Sequence, residues 1–410
     1  MLDGDSAQSP HSKILINLVR VLFINHTLQK SGAGISLATL LRHLPERVEK
    51  YFVLQKKSEI GGLLGAEEAN VFRERFLPQF PTTQYNGAYS ILLYAWHFAK
   101  ALLAFWRVRQ LARRWQPDVL HINETTMLAY VFAARAIGLP VVMHARTALE
   151  KRPLEMAIMR RIGGLRGVRI ACIDGEVLES LPAECKPIAR VVYNPIELGA
   201  TPAASEVTAQ RAEWGFGPQH FVIGQVASLH SVKGIWLILD LAEKLCTQHP
   251  QLRFVLAGDT AAQAGEGPQL LDAIRARGLT GKVILPGYVT NLANVYASLD
   301  VALCLFGGGL GGVGRAAYEA AVSGTALIAT LPDPKNSATL EDGVTGLLFT
   351  QDDREGIAQA MEKLLSDPPF RQKLGAQAKE VIADRHAPTR IATQVMRLYT
   401  EASEDSILAP

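Results

Sequence analysis

Apolar runs of strand length alternate with stretches of helical periodicity along nearly the whole chain, and this alternation predicts parallel sheets built from βαβ units. The first half yields strands at 19–25, 51–54, 118–122, 140–143, 169–173 and 189–193, with a loop at 26–34. An amphipathic helix is expected from near Ile35, with Ser36 at an early helical position, and another over 127–138. The polar segment 61–85 reads as irregular. The alternation restarts at Phe221, with strands at 221–226, 252–257, 283–285, 301–306, 326–330 and 347–349. Helices are expected there over 235–249, 270–277, 354–365 and 388–401. Between Pro195 and Pro218 the composition shifts to Pro, Ala, Thr and charge, the look of an interdomain linker. Two open α/β halves follow, whose ligands are expected beyond the carboxyl ends of the strands, in a cleft between them.

At 410 residues the chain exceeds one ordinary core, which agrees with two domains. A net charge of +3 gives no case for a nucleic-acid partner, which calls for a clustered basic face. Cys172, Cys185, Cys246 and Cys304 are scattered without C-x-x-C spacing, so buried thiols in a reducing compartment are expected. The acidic, polar start of the sequence lacks the pattern of a secretory signal, and the expected location is cytoplasmic. Asp3 and Asp5 resemble a D-x-D metal motif only superficially, because a frayed segment does not hold ligands in place.

The stretch 88–115 is long, aromatic and increasingly basic. Its first part nears the length of a membrane span but carries His97 and Lys100, which hydrocarbon disfavours. Two readings remain for it. One is a helix packed between sheet and solvent. The other is a helix lying on the inner face of a membrane, with Arg107, Arg109, Arg113 and Arg114 toward lipid phosphates.

The densest candidate chemistry is GGGLGGVGRAAYEAAVSG at Gly307 to Gly324, which places six glycines in eight positions between an apolar run and an alanine-rich helix. Strand, glycine loop and helix make an anion seat: residues without Cβ let the backbone approach a phosphate, and the unpaired amides of the helix's first turn point at it. Glu319 sits one turn further in, placed to take hydrogen bonds from ribose hydroxyls. A mobile loop before an ordinary helix is the bland alternative, with Glu319 then a surface carboxylate.

The order of these elements and the residues at their ends resemble the retaining glycosyltransferases of family 4, and the resemblance runs from about Val19 to Thr400. SGAGISL at Ser31 to Leu37 resembles that family's N-terminal glycine loop. DVLHIN at Asp118 to Asn123 and VVMHAR at Val141 to Arg146 resemble its strand ends, each with a histidine facing the cleft. VVYNPIEL at Val191 to Leu198 resembles the stretch that ends the first domain. VASLHSVKG at Val226 to Gly234 resembles the phosphate loop, FVLAGD at Phe254 to Asp259 and LPGYV at Leu285 to Val289 later strands, and EAAVSGTALIAT at Glu319 to Thr330 the helix of the E-x7-E motif.

The resemblance implies the GT-B fold, two Rossmann-like α/β domains facing across a cleft. It divides the chain into a tail 1–17, an acceptor domain 18–197, a linker 198–218, a nucleotide-sugar domain 219–385 and a last helix 386–410 that crosses back to the first domain. The implied reaction moves a hexosyl group from a UDP- or GDP-sugar to a glycan or lipid-linked acceptor in cell-surface polysaccharide synthesis, with no metal and no cofactor besides the donor. Lys233, Glu319 and His144 are the implied catalytic residues. Gly32, Ala33, Gly34, Ser228, Lys233, Tyr288, Val289, Gly311, Gly312, Val313, Gly314, Arg315 and Glu319 form the implied donor site. His121, Asn123, His144 and Arg146 are the implied acceptor-side residues, and His26 is a further candidate.

Two positions depart from the family pattern. Ser228 stands where an arginine is usual, and Gly311 replaces the first glutamate of E-x7-E, with Arg315 or Arg146 as the cations that would compensate. The departures leave a non-catalytic partner protein as one alternative. A nicotinamide oxidoreductase is another, from G-x-G-x-x-G at Gly309 to Gly314 with Asp333 beyond it. The bland alternatives for Lys233, His144 and Asn194 are a solvated lysine, a strand-end histidine and a turn residue.

Overall fold

The computed structural model describes residues 18–28, 31–75, 77–78, 90–149, 153–260, 266–306, 314–337 and 339–407. The expected tail 1–17 and the glycine-rich residues 307–313, with Gly311, Gly312 and Val313 among them, lie outside these residues. The chain divides into two compact units, Met1–Pro195 with Pro388–Pro410, and Ile196–Ala387.

The first unit is a seven-stranded parallel sheet in the order β3-β2-β1-β4-β5-β6-β7. Its strands are β1 (Val19–Asn25), β2 (Val48–Gln55), β3 (Val71–Glu74), β4 (Val119–Ile122), β5 (Val141–Ala145), β6 (Val168–Cys172) and β7 (Ala189–Val191). Strand β1 is apolar almost throughout because both its faces are covered. Val21 and Phe23 point into a core shared with Leu37 and Leu40 of helix α1 (Gly32–His43) and with Ile391, Val395 and Tyr399 of the last helix, Pro388–Ile407. Leu22 and Ile24 point the other way, toward Val108 and Leu111 of helix α2 (Ser90–Trp115) and Tyr130 of helix α3 (Leu128–Arg135). Each fully buried side chain of this size contributes roughly 1.5–3 kcal/mol, which fixes the register of a strand whose neighbours alternate faces.

The second unit repeats the plan with six parallel strands in the order β10-β9-β8-β11-β12-β13. These are β8 (Phe221–Val226), β9 (Leu252–Ala257), β10 (Val283–Ile284), β11 (Val301–Cys304), β12 (Ala326–Thr330) and β13 (Leu347–Phe349). Ile223 faces Ile238 and Leu245 of the helix Ile235–Gln248, whereas Val222 faces Tyr296, Tyr318 and Ile382 on the opposite side. All four cysteines are buried and free, and burial pushes the Cys172 and Cys304 thiols up to about 12.

Several expectations change. The first helix begins at Gly32 rather than near Ile35, because Ser31 caps it by accepting from the Gly34 amide at 3.3 Å; Gly32 to Gly34 are its first turn, not a loop. The segment read as irregular contains β3, paired with β2 at Phe52↔Val71. The expected linker 198–218 contains the helix Ala204–Glu213, which lies wholly in the second unit and is tied to it by Arg211 and Asp300 at 3.0 Å. None of its residues is fully buried, so it left no apolar stripe in the sequence. The helix Pro368–Arg385 is a further addition to the expected elements: Pro368 and Pro369 look like breakers, but they occupy the first turn, where no amide is needed, behind an Asp367 cap. Among the described residues no helix is long and apolar enough to cross a membrane.

Candidate active site

In each sheet the chain reverses its direction of winding once, between β1 and β4 and between β8 and β11. A doubly wound sheet opens a crevice at such a point, past the carboxyl ends of the two strands. Most of the residues singled out by sequence gather at these two places.

In the second unit β8 leads through residues 227–230 into the turn Ser231–Lys233, and Gly234 (φ 66°) starts the following helix. A Cβ at Gly234 would collide with the Leu305 carbonyl oxygen, so this backbone can lie against the end of β11 only with glycine there. Gln225, 4% exposed, locks the approach: its Nε2 donates to the Lys233 carbonyl at 2.6 Å and its Oε1 accepts from the Leu305 amide at 2.9 Å. Glu266 braces the same turn by accepting from the Ser231 amide at 2.7 Å and from Trp236 Nε1 at 2.5 Å.

Lys233 is half-buried, with Nζ 4.1 Å from the centre of the Phe306 ring, and burial holds its pKa below the usual lysine range. Gly314 lies against the same ring, since a Cβ there would run into Phe306. Lys233 and the start of helix Arg315–Ser323 are thus gathered around one aromatic side chain. Ser228 is exposed, as is Tyr288; Val289 is half-buried and packs into the core beside Leu292.

Glu319 is not a surface carboxylate. It is 4% exposed, its Oε1 accepts from Arg315 Nε at 2.7 Å, and its Oε2 accepts from the Tyr296 hydroxyl at 3.2 Å. The expectation that Arg315 supplies a spare cation therefore changes, because its charge is already matched within the helix.

In the first unit Arg146 follows β5 and is held by amide oxygens. Its Nε and Nη2 donate to Asn123 Oδ1 at 2.9 and 2.7 Å, and its Nη1 donates to Asn194 Oδ1 at 2.6 Å. Asn123 passes the contact on, donating from Nδ2 to Asn25 Oδ1 at 2.9 Å, and Asn25 donates to Thr27 Oγ1 at 2.7 Å. Asn194 thus does more than shape a turn. Glu124 is buried beside the guanidinium, and burial raises its carboxyl pKa.

His144 is the last residue but one of β5, 3% exposed, and its Nδ1 is 2.8 Å from His121 Nε2. His121 Nδ1 is in turn 2.6 Å from the Tyr399 hydroxyl. Burial and then the Arg146 charge depress these imidazoles, His121 to about 3 and His144 well below the ordinary value. His26, at the end of β1, is lowered to about 4 for the same two reasons, and its Nδ1 is buried without a hydrogen-bond partner. His121 and Asn123, expected to face an acceptor, are both fully buried; they hold His144 and Arg146 instead. Sequence reasoning missed Asn25, Gln225, Glu266, Tyr296 and Tyr399, none of which stands in a recognisable motif.

Among the described residues no group of three or more His, Cys, Asp or Glu side chains is placed to hold a metal ion. The glycine pattern that suggested a nicotinamide cofactor follows β11, the fourth strand of its unit in chain order, whereas a dinucleotide fingerprint opens the first.

Comparison with known proteins agrees with this arrangement. A family model described as Glycosyltransferase Family 4 matches residues 30–199, and one described as Glycosyl transferases group 1 matches residues 206–381. The alpha-D-kanosaminyltransferase of Streptomyces kanamyceticus is 26% identical over 202 residues, 48% of this chain and 50% of that protein. The D-inositol 3-phosphate glycosyltransferase of Corynebacterium diphtheriae is 29% identical over 190 residues, 45% and 44% of the two chains. The chain spans about half the length of the curated relatives it matches. Among solved structures, Anabaena HepE in complex with UDP superposes with a TM-score of 0.74 at 19% identity, covering 92% of this chain and 99% of that one. A glycosyltransferase from Rickettsia africae gives 0.75 at 13% identity, covering 94% and 99%. At these identities the likeness is one of fold. With two parallel α/β sheets of GT-B type and two family models that between them account for most of the sequence, the chain belongs to glycosyltransferase family 4.

Proposed function

We propose that the protein transfers a sugar, with retention of configuration, from a nucleotide-diphosphate sugar to a glycan or lipid-linked acceptor in cell-surface polysaccharide synthesis. The observation that carries this reading is the grouping of Lys233 with the N-terminal end of helix Arg315–Ser323 around Phe306, at the reversal point of the second sheet. A lysine and a helix N-terminus suit a diphosphate, and a lysine whose charged form is disfavoured by burial gains most from an arriving anion. The anomeric C–O bond breaks and its electron pair goes to the phosphate oxygen. The acceptor hydroxyl then bonds to the anomeric carbon on the face just vacated, and its proton passes to the leaving phosphate. The enzyme's task is to stabilise the charge growing on that phosphate with fixed donors, so no metal is required.

UDP is the favoured nucleotide, because HepE has been solved with UDP and with UDP-glucose. Glu319 suits the ribose hydroxyls: Arg315 and Tyr296 use one acceptor site on each carboxylate oxygen. Thermal-shift screening against UDP-, GDP- and ADP-sugars tests the reading. Stabilisation by one nucleotide sugar, followed by turnover with an acceptor in the presence of EDTA, supports it; no stabilisation by any of them overturns it. A non-catalytic partner protein is the second reading, favoured by Ser228 and Gly311 and by the matched charge of Arg315.

The acceptor side of the reading includes a membrane. On α2 the exposed face carries Leu102, Leu103, Phe105 and Trp106, followed about two turns later by Arg109, Arg113 and Arg114. No carboxylate interrupts 90–115. Such a face suits the boundary of an anionic bilayer on its cytoplasmic side, where a lipid-linked acceptor would be presented.

A further inference from the structure

We propose that Tyr399 is a positioning residue that fixes His144 in the tautomer carrying its proton on Nε2, so that His144 meets its ligand as a hydrogen-bond donor. The identity of that ligand rests on the glycosyltransferase reading; the order of the protons does not.

Tyr399 reaches the site from the last helix, 278 positions along the chain from His121. Its ring meets the His121 ring edge-on, and both side chains are completely buried. The chain of contacts is Tyr399 hydroxyl, His121 Nδ1, His121 Nε2, His144 Nδ1, with separations of 2.6 Å and 2.8 Å across the two gaps. A neutral imidazole carries one N–H and one lone pair, so a single choice at one end sets every proton along the line.

Two orders exist. If His121 Nδ1 carried the proton it would donate to the tyrosine oxygen, His144 would donate from Nδ1 to His121 Nε2, and His144 Nε2 would be left with a lone pair. The Tyr399 hydroxyl would then hold a proton with no acceptor, because His121 is its one partner among the described residues. A sealed, unpaired donor is what native interiors avoid. In the other order Tyr399 donates to His121 Nδ1 and His121 Nε2–H donates to His144 Nδ1, so both protons within the line have acceptors, and the one N–H left over is on His144, whose Nε2 is not among the sealed atoms. His144 Nε2, which has no protein partner among the described residues, then carries N–H.

The consequence is chemical. An imidazole N–H binds a sugar hydroxyl oxygen or a phosphate oxygen and has no lone pair with which to take the acceptor's proton. His144 therefore orients and stabilises, and the leaving phosphate remains the proton acceptor. The last helix, which looks like packing for the first sheet, sets the character of a residue at the site.

The test uses the full chain labelled with 15N-histidine and long-range 1H–15N correlation, which tells a protonated ring nitrogen from one bearing a lone pair and needs no substrate. The wild-type His144 signal is expected to show bare Nδ1 and protonated Nε2; the reverse pattern overturns the proposal outright. In Tyr399→Phe the His144 pattern is expected to shift to the other tautomer or to a mixture, with kcat falling on the order of tenfold, the low end of what loss of an orienting partner costs a metal-bound histidine, and KM for the donor held. His121→Gln, whose amide oxygen accepts from Tyr399 and whose amide nitrogen donates to His144, is expected to keep the wild-type pattern at His144. An unchanged His144 tautomer in Tyr399→Phe, or its loss in a folded His121→Gln, sinks the relay. A relay that behaves as described in a protein that turns over no nucleotide sugar leaves the proton order standing and removes the functional reading alone.

Discussion

Arg315 and Glu319 form an ion pair one turn apart on the same helix, Nε to Oε1 at 2.7 Å, with side chains 11% and 6% exposed. A carboxylate that looked in sequence like a free ligand for ribose is also the counter-ion of a buried guanidinium. Loss of activity in Glu319→Ala is therefore ambiguous by itself. Breaking a buried pair from one side costs about 3 kcal/mol or more. Glu319→Ala is expected to lose about that much stability in urea unfolding. Glu319→Gln, which keeps an acceptor for Tyr296, is expected to lose less while still failing in transfer. Equal stability of Glu319→Ala and wild type would contradict the buried pairing.

Lys233 behaves in the opposite sense. Its charge is disfavoured where it sits, so Lys233→Met is expected to leave stability within about 1 kcal/mol of wild type while abolishing the rise in melting temperature produced by a UDP-sugar. A variant that keeps the ligand-dependent shift would remove lysine from the diphosphate site.

The depressed histidines make a prediction about acid. His26 and His121 bind protons less readily in the native state, at about 4 and about 3, than the ordinary 6.5 of the unfolded chain. As the pH falls below 6.5 the unfolded state is protonated first, and native stability drops by up to about 1.4 kcal/mol per pH unit for each such group. The loss levels off for each ring once the pH passes its folded value. Urea midpoints measured from pH 8 to pH 4 are expected to fall mainly below 6.5, and His121→Gln to flatten the slope. A slope unchanged by that substitution would mean the ring is not held neutral.

Gly234 and Gly32 are expected to differ sharply. Gly234→Ala combines a left-handed backbone with a clash against the Leu305 carbonyl and should cost well over 1 kcal/mol as well as displacing Lys233. A Cβ at Gly32 meets nothing within 4 Å, so Gly32→Ala should be tolerated in a thermal melt. Equal melting temperatures for the two would place the Ser231–Gly234 turn differently.

The exposed face of α2 is checked by flotation with vesicles. Wild-type protein is expected to float with vesicles rich in anionic phospholipid and to lose this in 0.5 M salt, about the level where the Debye length shrinks to a few ångströms. Leu102→Ser with Trp106→Ser should lose binding at all salt concentrations without change in melting temperature. Flotation unaffected by the pair would assign membrane contact elsewhere.

The two sheets were legible because buried parallel strands are nearly uninterrupted apolar runs. Phe221–Val226, Leu252–Ala257 and Ala326–Thr330 stand in the structure with the bounds read from the sequence. The short edge strand Val71–Glu74 carries no such signal, since none of its four side chains is fully buried by the layers above and below the sheet. Lys233 and Glu319 stood out through adjacent glycines and a helical offset. The Arg315 partner of Glu319 is a local i,i+4 pair, but Gln225 and Tyr296, which also hold these residues in place, depend on tertiary proximity that no local pattern records. His121 looked like a ligand-facing histidine for the same reason: alternation along a strand gives the face on which a side chain lies, and not what stands over that face.

The return of residues 388–410 to the first unit means that this unit is not one continuous piece of chain. During synthesis the sheet's flank that receives Ile391, Val395 and Tyr399 stays bare until the whole of 196–387 has left the ribosome, on the order of ten seconds or more at ordinary translation rates. The second unit, contiguous in the chain, is complete when that interval ends and waits for no later segment. The nascent first unit is consequently the sticky one, and a truncation anywhere before Pro388 should yield a product that chaperones retain.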